Sequence, residues 1–293
     1  MGATAPFDTC YLNGALMPLR DARISPLDRS FLFGDGVYEV IAVHGGHAGR
    51  LASNIARLRR SLAELKIANP HDDAGWTALI ANLIAVNGGG DQYVYLQVSR
   101  GAEHGRNHAP LPVLIPTVFA FCVPLPPIAA ETLSRGLTCI TAIDTRWARC
   151  DIKSVALLAN VLLRQQAVEA GASETILLRD GWLTDASGSA VHVVINGEIR
   201  TPPLSNLLLP GTTRSFIEEL AAQNAMPCRR IAVSESDLRK ADEVWISAAT
   251  RGVLPVTTLD GRAVGNGQPG PVWQRMYELI TSSWREGQSS AAQ

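Results

Sequence analysis

The chain has 293 residues, enough for one large domain or two of medium size with ample core. Its formal net charge of −1 excludes a strongly basic nucleic-acid or membrane-surface binder. Five scattered cysteines without a CxxC pair exclude a disulfide framework and a structural zinc site, and they point to a reducing, cytoplasmic setting.

No apolar run approaches the roughly 18 residues of a membrane span. The opening stretch has no basic region followed by an apolar one, so no signal peptide is expected. In chain order, residues 9–50 read as short strands and turns. Tyr11-Leu12-Asn13-Gly14 runs from strand into a hairpin-like turn, and Val37–Val43 is a β-branched strand ending at Gly45-Gly46. Ile55, Leu58, Leu62 and Leu65 recur at helical spacing after an N-cap at Ser53 or Asn54. A second helix covers Asp73–Val86, and strands follow at Gln92–Ser99 and Val113–Val123. Pro124-Leu125-Pro126-Pro127 stiffens the chain and ends that pattern, placing a domain boundary there. The expected division is a small domain over 1–123, a linker over 124–130 and a large domain over 131–293.

The second half opens with a strand at Leu137–Ile143. A helix is expected from Ser154 to about Gly171, with Val155, Leu158, Val161, Leu162 and Val168 as its apolar positions. Strands at Glu174–Leu178, Val191–Ile195 and Ile199–Thr201 precede a helix over Thr213–Ala225, a strand at Val244–Ser247 and a last helix over about Val272–Glu286. The pattern is two-domain α+β without regular βα alternation.

Lysine chemistry has only three candidates, Lys66, Lys153 and Lys240, against 23 arginines. Lys66 lies at the polar end of a helix and Lys240 in a charged run, both as solvated surface. Lys153 stands just before an apolar helix in Arg146-Trp147-Ala148-Arg149-Cys150-Asp151-Ile152-Lys153-Ser154, a setting that favours Schiff-base chemistry, although a plain surface lysine near a helix start has the same local pattern. Leu209-Pro210-Gly211-Thr212-Thr213-Arg214 opens a helix in the way a phosphate is held at a helix N-terminus, and equally in the way a threonine simply caps one. No Walker loop and no GxGxxG after a strand are present. Alternation sends Val37 and Glu39 to one face of their strand and Tyr38 to the other, toward a cleft or into the core. Arg106 and His108 lie two apart in a loop, where they could converge on one carboxylate or be solvated. The pairs His104/His108 and His44/His47 lack metal-ligand context, and no metal site is expected.

Taken together, in order and spacing, these stretches resemble the class IV (fold-type IV) pyridoxal-phosphate aminotransferases, and most of all their D-amino acid branch. Four segments carry the resemblance over roughly residues 8–280: Asp28-Arg29-Ser30 with Phe33-Gly34-Asp35-Gly36-Val37-Tyr38-Glu39; Arg100-Gly101 through Arg106-Asn107-His108; Arg146-Trp147 through Asp151-Ile152-Lys153-Ser154; and Leu209 through Arg214. The Arg-x-His pair separates the D-amino acid branch from its relatives.

The resemblance implies a small α/β N-terminal domain and a larger C-terminal domain with a barrel-like sheet. It implies pyridoxal 5'-phosphate on Lys153 as Schiff-base lysine and proton carrier. Asp185 would face the pyridine nitrogen and Leu209 would pack under the ring. Arg57, Thr212, Thr213 and the backbone of Ala249 and Thr250 would hold the phosphate. Tyr38, Arg106 and His108 would bind the substrate α-carboxylate, the last two from the second subunit of a homodimer. Two departures stand out. Asp185 and Ala190 replace the family's glutamate and asparagine, and Ser247-Ala248-Ala249-Thr250 has alanines where hydroxyl residues are usual, which implies looser cofactor binding. The expected activity is ping-pong transfer of an amino group from a D-amino acid to a 2-oxo acid. A branched-chain L-amino acid or (R)-amine transaminase, an aminodeoxychorismate lyase, and a slow cofactor-binding protein are the alternatives.

Overall fold

The computed structural model describes residues 4–290, with side chains described as far as residue 284. The chain divides into two compact units. The first runs to Pro126 and takes back the short segment Ile152–Leu157; the second comprises Pro127–Asp151 and Leu158–Glu286.

In the first unit the order is β1 (Thr9–Leu12), β2 (Ala15–Pro18), α1 (Arg29–Phe33), β3 (Gly36–His44), β4 (His47–Ala48), α2 (Leu51–Glu64), α3 (Asp73–Val86), β5 (Gln92–Ser99) and β6 (Thr117–Pro124). The strands form one sheet in the order β2-β1-β6-β5-β3-β4, antiparallel throughout. Asn13 and Gly14, both at positive φ, make the expected β1–β2 turn. Strict alternation along β3 and β5 turns Val37, Ile41, Val94 and Val98 to one face, where Leu58 and Leu62 of α2 and Trp76 and Ile80 of α3 cover them.

Two sequence expectations shift in this unit. α2 begins three to four residues earlier, with Arg50 in left-handed conformation at its N-cap and no side-chain cap, because the tight β4 hairpin delivers the chain there. β6 begins only at Thr117, since Pro110, Pro112 and Pro116 keep the preceding residues out of the ladder.

The second unit contains α4 (Ala130–Arg135), β7 (Leu137–Ile143), α5 (Leu158–Glu169), β8 (Glu174–Arg179), β9 (Trp182–Ala186), β10 (Ala190–Ile195), β11 (Glu198–Thr201), α6 (Thr212–Gln223), β12 (Cys228–Arg230), α7 (Glu235–Arg239), β13 (Glu243–Ala248), β14 (Gly252–Leu259), β15 (Arg262–Ala263) and α8 (Pro271–Ser290). Its sheet runs β12-β11-β10-β13-β14-β7-β8-β9, with β15 paired to β14, and curls as a half-barrel. Both faces are buried. Val244 and Ile246 of β13 point into one cluster with Val191 and Leu254, whereas Trp245 points into another with Ile217 of α6 and Met276 of α8. A fully buried aliphatic side chain contributes about 1.5–3 kcal/mol.

The helix expected from Ser154 begins only at Leu158. Residues 154–157 are instead held against β3: Val155 N–H donates to the Gly36 carbonyl at 3.0 Å, and Ser154 bridges Val37. The expected apolar face of α5 is also corrected. Leu163 and Ala167 are the buried positions, while Leu158, Val161, Leu162 and Val168 are all more than half exposed. Among the described residues no helix is long and apolar enough to cross a membrane.

Candidate active site

Lys153 owes its placement to the returning segment. Its carbonyl accepts from the Tyr38 N–H at 2.9 Å, its own N–H donates to Ser61 Oγ at 3.3 Å, and its Nζ lies 4.0 Å from the Tyr38 ring centroid. The ground given by the sequence, a helix start beside the lysine, is absent, because α5 starts five residues later. The lysine is fixed by strand-like pairing to β3 instead, and half-buried. Lys66 and Lys240 are exposed, as expected. Tyr38 stacks on Tyr95 at 5.7 Å between centroids, and Tyr95 donates to Gln97 Oε1 at 2.8 Å. Burial, with the neighbouring Tyr38 phenol, pushes the Tyr95 hydroxyl up to about 12, so it stays a neutral donor.

The two glycines of Phe33-Gly34-Asp35-Gly36 are required by geometry. Gly34 caps α1 at φ +69, and a Cβ there would stand 3.1 Å from Ala156; at Gly36 one would stand 2.9 Å from the Val98 carbonyl oxygen.

Arg57, on α2, is buried and paired with Glu39 of β3 through two parallel bonds of 2.8 Å, while Asn54 donates to the same carboxylate at 2.9 Å. Burial alone would lower the Arg57 pKa, but the Glu39 carboxylate outweighs it and leaves it raised. Arg106 and His108 lie on an exposed loop, gathered against Phe33: the Arg106 Cζ is 5.0 Å from that ring's centroid and the His108 ring 5.5 Å. Among the described residues no hydrogen bond or ring contact joins this pair to Tyr38.

In the second unit Asp185, the penultimate residue of β9, lies in a buried polar knot. Arg146 stands 3.3 Å from its Oδ2, and the Leu209 N–H reaches the same oxygen at 3.5 Å. Arg146 gives its better bonds to Asp144, at 2.9 and 3.0 Å, and Thr184 donates to Asp144 at 2.8 Å. Burial therefore pushes Asp185 up to about 6, because its share of Arg146 and the Leu209 and Ala186 N–H groups does not offset desolvation. Asp144, by contrast, is held below the ordinary carboxylate range: burial would raise it, but Arg146 outweighs that. Asp144 went unnoticed in the sequence; the Asp144-Thr145-Arg146 spacing was its signal. Glu174 also went unnoticed. It receives the hydroxyls of Ser187 and Ser189, closing the turn that follows Asp185.

α6 begins at Thr212 with Gly211 as N-cap, and no side chain caps it. Ala249 and Thr250 sit at the tip of the β13–β14 hairpin, closed by the Arg251 N–H donating to the Ala248 carbonyl at 3.1 Å. The residues present fit pyridoxal phosphate. An under-compensated buried carboxyl suits a pyridinium nitrogen, an uncapped helix start suits a phosphate, and a half-buried lysine suits a carbonyl carbon.

The comparisons agree. The model of the family Amino-transferase class IV matches residues 36–259. A D-alanine aminotransferase of Bacillus licheniformis is 39% identical, covering 92% of this chain and 95% of its own. One from Listeria monocytogenes is 36% identical, covering 92% and 93%. Among solved structures, the branched-chain amino acid aminotransferase of Escherichia coli shares the fold, with a TM-score of 0.87 at 24% identity over 94% of each chain. Aminotransferases of this class work with pyridoxal phosphate. A family match over most of the chain, with relatives well above 30% identical across nine-tenths of it, establishes that this protein belongs to the class IV aminotransferases.

Proposed function

We propose that the protein is a D-amino acid transaminase that passes the amino group to a 2-oxo acid by a ping-pong mechanism. The observation that carries this reading is the placement of Lys153 Nζ over Tyr38, in a chain whose curated relatives are D-alanine aminotransferases. Bound at Lys153, pyridoxal phosphate supplies the electron sink that makes the substrate Cα–H acidic. Lys153 moves the proton at Cα. Asp185 would hold the pyridine nitrogen, its buried carboxyl being the acidic group available to pair with a protonated ring. Leu209, whose N–H donates to Asp185, would pack against the ring. Arg57, the N–H groups of Thr212 and Thr213, and those of Ala249 and Thr250 hold the phosphate. Tyr38, Arg106 and His108 bind the α-carboxylate.

We infer further that the protein works as a homodimer in the cytoplasm, with Arg106 and His108 supplied by the second copy. Exposed Leu158, Val161 and Leu162 on α5 and exposed Phe31, Val113 and Ile115 near the trap loop support a covering partner. Five unpaired cysteines support the compartment.

The test is the visible band of the holoenzyme. D-Alanine alone should bleach it, and Lys153→Ala should lack it. Bleaching by L-leucine instead would favour the branched-chain chemistry named for the Escherichia coli enzyme. A band that ignores every amino acid would leave only a cofactor-binding protein.

A further inference from the structure

No residue of the motif Asp28-Arg29-Ser30 has a role in the function proposed above, yet Arg29 is among the most heavily bonded side chains of the first unit. We propose that Arg29 is the positioning residue of the carboxylate trap: its guanidinium sets the backbone from which Arg106 and His108 project. The proposal rests on the assignment of those two residues to the substrate carboxylate.

Arg29 sits on α1 with its side chain 5% exposed, so it does not itself meet substrate. Its Nε donates to Asp35 Oδ2 at 2.8 Å. One terminal nitrogen donates to Glu103 Oε1 at 3.0 Å and to the Asn107 carbonyl at 2.7 Å; the other donates to the His108 carbonyl at 3.0 Å. The last two bonds fall on the peptide groups on either side of the His108 Cα, the first of which also follows Asn107, the residue next to Arg106. The segment from Gly105 to Pro110 has no helix or strand of its own, and its side chains are exposed. A buried guanidinium is therefore what fixes its path. Glu103, held by Arg29, also accepts the Leu111 N–H at 3.1 Å, closing the far end of the loop. Asp35 in turn is shared with Arg100, which binds it at 2.7 and 3.0 Å.

Phe33 completes the arrangement. The Arg29 Cζ lies 4.7 Å from its ring centroid, alongside Arg106 and His108. One arginine thus fixes both the main chain of the trap and the aromatic plate against which its two side chains rest. A lysine would keep the charge but lose the fork that spans two carbonyls and two carboxylates.

The experiment compares D-alanine with D-alaninamide, which lacks the anionic carboxylate, in bleaching the visible band of the holoenzyme. The readout is the ratio of their second-order rate constants. Arg29→Lys should lower that ratio about 10- to 100-fold, through the half-saturation for D-alanine, with the D-alaninamide rate within about twofold of wild type. Arg106→Leu should collapse it at least as far. If Arg106→Leu collapses the ratio and Arg29→Lys leaves it unchanged, Arg29 does not position the trap. If both substrates slow equally in Arg29→Lys, its role is structural only and the proposal falls. An unchanged ratio in Arg106→Leu overturns the trap itself, and the role of Arg29 with it. Should Arg29→Lys not yield folded holoenzyme, Glu103→Gln decides by the same ratio: a fall of about 3- to 10-fold supports the proposal, and no change overturns it.

Discussion

Asp185 is the residue whose chemistry is most open to measurement. Its sequence position marked it as a shortened counterpart of a glutamate; its environment shows what the shortening leaves. Arg146 is spent mainly on Asp144, and Asp185 keeps only long contacts. Its folded pKa of about 6 lies above the ordinary 3.8, so the folded chain binds this proton more tightly than the unfolded one. Above pH 6 the cofactor-free fold carries an ionised buried carboxylate that costs about 3 kcal/mol, and the cost is relieved as pH falls from 7 toward 4. Asp185→Asn should therefore stabilise the cofactor-free protein by about 2–3 kcal/mol at pH 7.5 in urea titrations, the gain vanishing by pH 4. A difference independent of pH would contradict this account. In the holoenzyme the same change should slow turnover on the order of 100-fold, because the charge facing the ring is lost.

At the scale of elements, β3 and α2 are joined through one buried ion pair, Glu39 with Arg57. Glu39→Ala leaves Arg57 charged, buried and without its bidentate partner, which costs about 3–5 kcal/mol. Urea unfolding of the variant measures this, and a loss below about 1 kcal/mol would mean that Arg57 finds other compensation. β3 also shows what the sequence made legible. Its β-branched alternation gave the strand, its faces and the position of Tyr38. α5 shows where reading failed. Five apolar residues at helical spacing marked a helix, but periodicity does not say which side the rest of the fold covers. Four of the five are exposed, and the fifth, Val155, lies outside the helix. β14 was missed because Pro255 reads as a strand breaker; the β7 ladder begins only at Val256, so the missing N–H is tolerated. α1, with five residues, is too short for any period, and so Arg29 and its loop contacts were invisible to it.

For the whole molecule, the proposed homodimer would be built on the exposed apolar face of α5. A monomer has a mass of 31.4 kDa. Wild type should run at twice that in light scattering coupled to size exclusion, and Leu162→Glu should shift it to the monomer mass with loss of D-alanine turnover. A wild type that is monomeric at micromolar concentration and fully active would rule out a partner-supplied trap. The composition and motifs made the family legible across most of the chain, because its chemistry-bearing residues sit at turns and element starts that short motifs encode well. The threading of the chain was not legible, since no local pattern announces that Ile152–Leu157 returns to the first unit.

That return has a consequence for how the protein is made. Tyr38 must wait for a residue 115 positions further on to complete its backbone pairing, a contact of high sequence separation that carries a large loop-closure entropy. The first 126 residues hold every strand of the first sheet, but the Gly36 carbonyl and the Tyr38 N–H on one edge of β3 find their partners only in Val155 and Lys153. The nascent first unit therefore gains Lys153 only once more than 150 residues have left the ribosome.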